Sequence, residues 1–248
     1  MMSAPLLQTR DLQLAFGAVV VADHIDFTLE EGERLAVIGQ NGAGKTTFIN
    51  ICTGLIRPQA GQVFFEGKEV TRMSPRQIAL RGMVRSFQLP QLFIEHTVRD
   101  CIRIAAAGKK GGLGIWTSLA DAVSASEVDH VLAMVGLSAR ADELSGSLPE
   151  GQRKLLDIAM ALVMRPRLLI LDEPTSGVSS DEKHALMGTI MSALDEQKIT
   201  AIFVEHDVDI VSQYATRVAA WIAGRVAADG TPEQVLTDPE IRKNVIGE

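Results

Sequence analysis

The sequence predicts an α/β fold in which a parallel sheet is covered by helices on both faces. Two continuous apolar runs, at residues 168–171 and 200–204, flank a helical stretch from about residue 181 to 197. Such runs alternating with helices are typical of strands that are buried on both faces. The length of 248 residues, with 46% hydrophobic and 22% charged residues, suits one domain, or a core with a smaller subdomain, and argues against disorder.

The first 88 residues have the pattern of short strands separated by turns. Strands are predicted at residues 6–15, 26–29 and 34–38. Residues 63–68 predict a strand that enters a hairpin, and residues 83–87 predict a strand that leads to Gln88. Between them, Ser74, Pro75 and Gln77 form a capping-box start for a short helix that ends at Gly82.

Residues 89–164 predict a helical subdomain, inserted into a core made of residues 1–88 and 165–248. Helical periodicity covers residues 95–107, 126–135 and 151–163, around a flexible Gly-rich run at residues 108–114. Towards the end of the chain, residues 218–226 predict a closing hairpin. Short capped helices are then predicted to begin at Thr231 and Asp238.

Composition and charge exclude several classes of function. Eight Phe, two Trp and one Tyr are too few for an aromatic surface that stacks single-stranded nucleic acid or lines a sugar cleft. The net charge of −7 provides no basic excess for duplex or anionic-membrane binding. Cys52 and Cys101 form no zinc or disulfide pattern, which fits a reducing cytosol, and we expect neither a secretory signal nor a membrane span.

A phosphate-binding loop is predicted between a strand and a helix, where residues 39–46 match G-x-x-x-x-G-K-[ST]. Backbone N–H groups of such a loop surround a phosphate, and the helix N-terminus adds partial positive charge. Lys45 would reach the β and γ phosphates of ATP, and Thr46 would ligate Mg²⁺. The alternative is a Gly-rich structural turn. The predicted nucleotide-binding residues of the loop are Gly39, Gln40, Asn41, Gly42, Ala43, Gly44, Lys45, Thr46 and Thr47.

Two carboxylates, Asp172 and Glu173, follow the buried strand at residues 168–171. They lie at the carboxyl edge of the sheet, where open α/β sheets bind ligands and where the phosphate loop also lies. Asp172 is placed to orient Mg²⁺, and Glu173 is placed to polarise a water for attack on the γ-phosphate. The alternative for Asp172 is that it only caps the next helix.

Three further side chains are weaker candidates for the same site. Gln88 could ligate Mg²⁺ or position water, and His206 could contact the γ-phosphate. Phe16 could stack on adenine. The alternatives are a surface position for Gln88 and His206, and a core ring for Phe16.

The chain resembles the ATP-binding subunit of ATP-binding-cassette (ABC) transporters over almost its whole length. The resemblance rests on the order and spacing of the phosphate loop, Gln88, residues 148–152, residues 168–174 and His206. The resemblance implies a P-loop NTPase (RecA-like) core with an N-terminal antiparallel β-subdomain and an inserted helical subdomain. It implies Glu173 as the catalytic glutamate, His206 as the switch histidine and a D-loop at residues 176–179. It also implies a dimer in which a signature motif closes on the partner's ATP, and that motif is Leu148, Pro149, Glu150, Gly151 and Gln152.

A closer resemblance is to the ATPases of branched-chain amino acid importers and the wider hydrophobic amino acid and amide uptake group. It rests on residues 84–88 with Leu92 and Phe93, on residues 156–162 and 204–207, and on residues 229–234 with the final Gly247 and Glu248. It implies a peripheral subunit at the cytoplasmic face of the inner membrane. The implied partners are a second ABC ATPase, two transmembrane permease subunits and, indirectly, a periplasmic solute-binding protein, with no nucleic acid.

Two departures from the family pattern concern partner contacts. Pro149 has neither a hydroxyl nor an N–H where the family commonly has Ser, and Glu150 adds negative charge where it has Gly. The site that this chain completes on its partner is therefore expected to be weakened, unless Gly151 and the helix N-terminus close it adequately. Ser179 stands where the D-loop commonly has Asp.

Two other readings remain open at the level of sequence. A soluble ABC ATPase of a cytosolic assembly would use the same ATP clamp, although a second phosphate loop or a long heptad insertion, found in some such proteins, is lacking here. An ATPase that extracts lipopolysaccharide resembles this chain in its tail. The transported solute is not determined by this subunit's sequence, and urea, short amides and aromatic acids lie within the same group.

Overall fold

Strands and helices alternate along the three parts of the chain that this computed structural model describes, residues 4–86, 92–109 and 123–247. The strands are β1 (Leu7–Phe16), β2 (Val19–Leu29), β3 (Arg34–Gly39), β4 (Ala60–Phe65), β5 (Lys68–Glu69), β6 (Met83–Ser86), β7 (Leu168–Asp172), β8 (Thr200–Val204), β9 (Arg217–Ile222) and β10 (Arg225–Gly230). The helices are α1 (Lys45–Cys52), α2 (Pro75–Leu80), α3 (Val98–Lys109), α4 (Ala125–Met134), α5 (Glu150–Leu162), α6 (Ser180–Gln197), α7 (Val208–Tyr214), α8 (Pro232–Leu236) and α9 (Pro239–Ile241), with a π-type turn at Arg242–Ile246.

The described strands form two sheets. A six-stranded sheet has the order β10-β9-β3-β8-β7-β6 and is parallel except for β10, which pairs antiparallel with β9 at one edge. A four-stranded sheet with the order β2-β1-β4-β5 is antiparallel throughout. The prediction of an α/β fold with an N-terminal antiparallel sheet is therefore confirmed.

The centre of the parallel sheet is buried on both faces, which explains its continuous apolar runs. Every residue of β7 and β8 is buried. Leu169 and Leu171 pack into a core shared with α3 to α6, whereas Leu168 and Ile170 pack into a second core shared with α1 and the antiparallel sheet. Because side chains alternate along a strand, one apolar run serves two hydrophobic layers.

The segment predicted as a helical subdomain contains α3, α4 and α5. Its described part, residues 92–109 and 123–164, holds no strand beyond an isolated bridge between Thr97 and Leu144. Gly108 of the predicted flexible run belongs to α3, and residues 110–114 lie outside the described residues. The subdomain boundaries at residues 88 and 164 stay a prediction.

Strand β2 and helix α7 differ most from the sequence-based expectation. Strand β2 begins at Val19 rather than near Asp26, because register shifts between β1 and β2 disrupt the alternation that marks a strand. Asp11 and His24 both have positive φ within these strands and contact each other at 2.5 Å between Oδ1 and Nδ1. Helix α7 was not expected, and its N-cap is Asp207, whose carboxylate accepts from the N–H groups of Asp209 and Ile210.

Three aromatic rings join the two sheets beneath the phosphate loop. Phe48 of α1 lies 5.0 Å from Trp221 of β9 and 5.6 Å from Phe27 of β2, measured between ring centroids. Phe48 and Trp221 have no exposed surface. Since these rings come from three separate segments, their packing fixes the position of α1 against both sheets.

We expect Phe48→Ala to lower the free energy of unfolding by about 3–5 kcal/mol, because it removes a buried ring and leaves a cavity. Phe93→Ala is the matched control, since Phe93 is 42% exposed and its replacement should change stability by less than about 0.5 kcal/mol. Urea unfolding followed by circular dichroism measures both. Equal urea midpoints for the two variants would contradict the packing role of Phe48.

Candidate active site

The phosphate loop connects the end of β3 to the start of α1, and two of its glycines are required by close backbone approaches. Gly39 and Gly44 have φ values of +155° and +103°. A Cβ atom at Gly39 would lie 2.5 Å from the carbonyl oxygen of Trp221, and one at Gly44 would lie 2.3 Å from that of Val21. Both distances are far below a normal contact, so the loop can follow this path only with glycine at these positions.

The β9–β10 turn braces the same loop. Gly224 of this turn donates its N–H to the carbonyl of Ala43 at 2.9 Å, and its own carbonyl accepts from the N–H of Asp23 in β2 at 2.9 Å. The β9–β10 turn therefore holds the loop by a backbone bond and is itself tied by another to β2 of the antiparallel sheet.

Lys45 is buried at the first position of α1, and its amino group points into the loop. Nζ donates to the carbonyl oxygens of Gly39 at 2.5 Å and Gln40 at 3.0 Å. Burial lowers the pKa of Lys45, and the nearby charges of Glu173 and Asp172 act in the opposite direction. A cation held by neutral carbonyls beside two carboxylates can transfer its hydrogen bonds to phosphate oxygens without moving far.

Asp172 ends β7, and its carboxylate is paired rather than used as a helix cap. Oδ2 accepts from Nη2 of Arg85 in β6 at 2.5 Å, with only 7% and 8% of the two side chains exposed. Arg85 also donates to the side chain of Asn50 in α1. The N-cap of the following helix is Ser179, so the capping alternative for Asp172 does not hold.

Glu173 and His206 come from adjacent strands and meet at the carboxyl edge of the sheet. Oε1 of Glu173 lies 3.2 Å from Nε2 of His206. Glu173 has a φ of +49°, which is unusual for a residue with a side chain. This strained turn directs the carboxylate out of the strand and towards the open side of the site.

Phe16 and the phosphate loop line the same cavity. The cavity has a volume of about 200 Å³ and is lined by Phe16, Val21, residues 41–47 and Glu173. Phe16 is 55% exposed, so it is not a core ring. A larger open cleft of about 700 Å³ adjoins it, lined by Gly39, Gln40, Asn41, Glu173, His206 and Val245.

The structure thus brings together most of the residues that the sequence singled out. Thr46 is exposed and Thr47 partly exposed in the first turn of α1, and both line the smaller cavity. Gln88 lies outside the described residues, so the structure does not place it.

The signature residues lie elsewhere, at the start of α5. Leu148 is buried, Pro149 is the N-cap of α5, and Glu150 is exposed in its first turn. None of the five residues from Leu148 to Gln152 lines the two cavities at the phosphate loop. Glu150 instead lies beside Gly177, since its Cγ would be 4.0 Å from a Cβ atom built there.

The donor groups at the site fit Mg²⁺ bound together with a nucleotide. The chain offers the Thr46 hydroxyl and the Asp172 carboxylate near Lys45, and the described residues contain no group of three or more His, Cys, Asp or Glu that could hold a metal. Mg²⁺ typically takes one or two protein oxygens and completes its shell with water and substrate phosphates. A sparse oxygen donor set beside a phosphate loop matches that requirement.

Sequence reasoning missed three charged residues that contact the site. Arg85 pairs with Asp172, Lys154 of α5 donates to the carbonyl of Glu173, and Glu205 accepts from the N–H of His206. One signal was available for Lys154, which falls in the apolar stripe of α5 with Ile158 and Leu162 at four-residue spacing. No local pattern marks the partner of Arg85, because Arg85 and Asp172 are 87 positions apart in the sequence.

Within the described residues, no helix has the length and apolar character needed to cross a membrane.

Comparison with known proteins gives matches along the whole chain. The profile of the family described as ABC transporter matches residues 22–176. The high-affinity branched-chain amino acid transport ATP-binding protein BraF of Pseudomonas aeruginosa is 33% identical, and LivG of Escherichia coli K12 is 32% identical, each over the full length of both chains.

Solved structures agree with the sequence matches. The ADP conformation of MJ1267, an ATP-binding cassette of an ABC transporter, is similar with a TM-score of 0.83 and 29% identity, covering 99% of this chain and 100% of that one. CbiO1 of Clostridium perfringens, part of the transporter complex cbiONQ, has a TM-score of 0.83 and 27% identity, covering 96% of this chain and 93% of that one. With its phosphate loop, strand-end carboxylates and fold matched over nearly its full length, the chain belongs to the ABC transporter family and is an ATP-hydrolysing cassette of that family.

Proposed function

We propose that this chain powers a membrane importer for branched-chain amino acids or related small amino acids and amides. The observation that carries the proposal is full-length identity of 33% and 32% to BraF and LivG, which are named as branched-chain amino acid transport ATP-binding proteins. The described active site supports the ATPase part of the proposal, because the phosphate loop, Asp172, Glu173 and His206 lie at one edge of the sheet.

Nucleotide binding would use groups that already face the cavity. The loop N–H groups and the N-terminus of α1 would receive the phosphates. Lys45 would exchange the carbonyls of Gly39 and Gln40 for phosphate oxygens. The exposed ring of Phe16, on the wall of the same cavity, would stack on adenine.

Thr46 and Asp172 would hold Mg²⁺, with Gln88 as a further ligand. The ion would neutralise charge on the β and γ phosphates. The ion pair with Arg85, which also donates to Asn50, fixes the Asp172 carboxylate between β6 and α1.

Hydrolysis would depend on Glu173 and His206 acting as a pair. The Glu173 carboxylate would polarise the attacking water, and His206, 3.2 Å away, would contact the γ-phosphate. This contact limits the rotamers of both side chains. The pair therefore provides a fixed position for water in the open cleft that Gly39, Gln40 and Asn41 also line.

The proposed partners are a second ABC ATPase and two transmembrane permease subunits, at the cytoplasmic face of the inner membrane. Leu148 to Gln152 would complete the partner's ATP site, because α5 begins there and none of these residues lines this chain's own loop cavities. Pro149 lacks an N–H and Glu150 carries a negative charge, so the site completed on the partner would be weakened.

An exposed apolar patch supports docking to a permease. Phe93, Ile94 and Leu144 are 42%, 63% and 53% exposed, and they lie close together because the backbone pairs Thr97 with Leu144 and Gly146 with Ile94. Apolar side chains clustered in this way favour contact with another protein. A cytoplasmic helix of a permease would cover the patch.

Glu173→Gln tests the assigned catalytic carboxylate. We expect turnover to fall by at least about 100-fold, because an amide cannot accept the proton of water, while ATP affinity stays near wild type. Steady-state ATPase assays and binding of a fluorescent ATP analogue measure the two quantities. Glu233→Gln makes the same change at an exposed position on α8 and should be silent. Wild-type turnover in Glu173→Gln would contradict the role.

The signature departures can be tested by restoring the common residues. In the complex with the second ATPase, Pro149→Ser with Glu150→Gly should raise ATPase activity by about two- to fivefold, the size of a helix-terminus charge effect. Glu150→Gln separates the contribution of charge from that of the backbone. Unchanged activity in both variants would show that the altered loop already closes adequately.

Purification from detergent-solubilised membranes tests the transport function. We expect the tagged chain to retain two permease subunits, identified by mass spectrometry, and Ile94→Asp to lose them because a charge in an apolar interface is costly to bury. Leu55→Asp is the matched control, since Leu55 is 48% exposed outside the patch. Recovery of wild type only in a soluble complex would contradict the importer proposal.

A further inference from the structure

Two charged side chains are almost fully buried next to the catalytic pair without lining the cavity at the phosphate loop. Lys154 of α5 is 5% exposed and Glu205, at the end of β8, is 3% exposed. Burying a charge is unfavourable unless hydrogen bonds and opposite charges offset the cost. The contacts that these two residues make therefore indicate why they are present.

The Glu205 carboxylate bridges two separate backbone segments. Its Oε1 accepts from the N–H and the hydroxyl of Thr175, at 2.9 Å and 2.8 Å. Its Oε2 accepts from the N–H of His206 at 3.3 Å. Because Thr175 follows the catalytic Glu173 by two residues, this one carboxylate ties the backbone before the switch histidine to the backbone after the catalytic glutamate.

Lys154 approaches the same place from the helical side. Its Nζ donates to the backbone carbonyl of Glu173 at 3.0 Å. Burial lowers the pKa of Lys154, and the charges of Glu150 and Glu205 are the strongest of those that oppose the shift. The ammonium group thus holds the peptide that leaves Glu173, at a residue whose φ of +49° needs outside support.

We propose that Lys154 and Glu205 are positioning residues that hold the backbones of Glu173 and His206 from opposite sides, so that the rate of ATP hydrolysis depends on how α5 is seated. The proposal rests on the proposed catalytic role of Glu173. Neither residue has to contact the nucleotide. Their common target is the 3.2 Å contact between Glu173 and His206.

The position of Lys154 links the signature residues at the start of α5 to the proposed catalytic glutamate. Lys154 lies one helical turn after Glu150, and α5 starts at the signature residues that would meet the partner's ATP. The hydrogen bond from Lys154 would pass a shift of α5 to the carbonyl of Glu173. Contact with one nucleotide can therefore alter the catalytic carboxylate that serves the other.

The pKa of Glu205 bears on whether a substitution there affects the position of the backbone or the stability of the fold. Burial raises the pKa of its carboxyl, and hydrogen bonds from Thr175 act in the opposite direction. When the pKa of a carboxyl is higher in the folded protein than in the unfolded one, the carboxyl contributes its full stability below the unfolded pKa. That contribution is lost as pH rises through the folded pKa. In the folded state the neutral carboxyl is thus favoured relative to the charged one, and Gln, a neutral isostere, avoids the cost of burying a charge.

Glu205→Gln is the first test. The Gln oxygen can still accept from Thr175, which turns its amide N–H₂ group towards the N–H of His206 and creates a donor–donor clash. We expect kcat to fall about 10- to 100-fold, with KM within about twofold of wild type, in a variant that circular dichroism shows to be folded at the assay temperature. Glu233→Gln serves again as the exposed control. A wild-type kcat, or a loss of kcat matched by the unfolded fraction at the assay temperature, would overturn the role of Glu205.

Lys154→Met is the second test, and Lys154→Arg is its rescue. Methionine fills similar space without a donor, so kcat should fall about tenfold while binding of a fluorescent ATP analogue is retained. Arginine should restore at least about half of the loss, because it can donate to the same carbonyl. Lys68→Met makes the same change on an exposed strand and should have no effect. Equal kcat values in Lys154→Met and wild type would overturn the role of Lys154.

Wild type and all variants, including Glu173→Gln, are assayed as full-length chains in the complex in which each is purified. Loss of turnover in Glu173→Gln with wild-type rates in Lys154→Met and Glu205→Gln would reject this inference alone. Retained turnover in Glu173→Gln would instead reject the catalytic role of Glu173, on which the inference rests.

Discussion

The parallel register of β3, β8 and β7 is the constraint on which the active site depends. Val37, Val204 and Asp172 lie in one row across these strands. All three strands therefore end at the same edge, and the next residues along each chain segment supply the site: the phosphate loop, Glu173 and Glu205 with His206. A slip of two residues in any one pairing would separate these groups by about 7 Å, which exceeds the reach of a hydrogen bond.

Four charged side chains at this edge are buried. Lys45, Asp172, Lys154 and Glu205 are all buried, and each is paired with a backbone group or an opposite charge. Low local dielectric strengthens such interactions, so each group is strongly oriented. Glu173 and His206 are the more exposed members of the site. These buried groups surround the two residues, Glu173 and His206, for which we propose contact with water and phosphate.

Local sequence was a good guide wherever a single segment carries the chemistry. The phosphate loop joins β3 to α1 as expected, and the carboxylates follow a buried strand. Sequence reasoning was incomplete where distant segments decide the outcome. The length of β2 depends on irregular pairing with β1, and the environment of Asp172 depends on Arg85, which reaches it through the pairing of β6 with β7. Such pairings leave no local periodicity to read.

By itself, the sequence determined the fold class, the phosphate loop, the order of the proposed catalytic elements and the departures at Pro149 and Glu150. Each of these features depends on short stretches of contiguous residues. Only the tertiary structure decided which side chains touch. It placed Phe16 on a cavity wall, paired Glu173 with His206, and buried Lys154 and Glu205 against their backbones. The physical reason is that hydrogen bonds and burial act over a few ångströms in space, and residues this close can be separated by any length of chain.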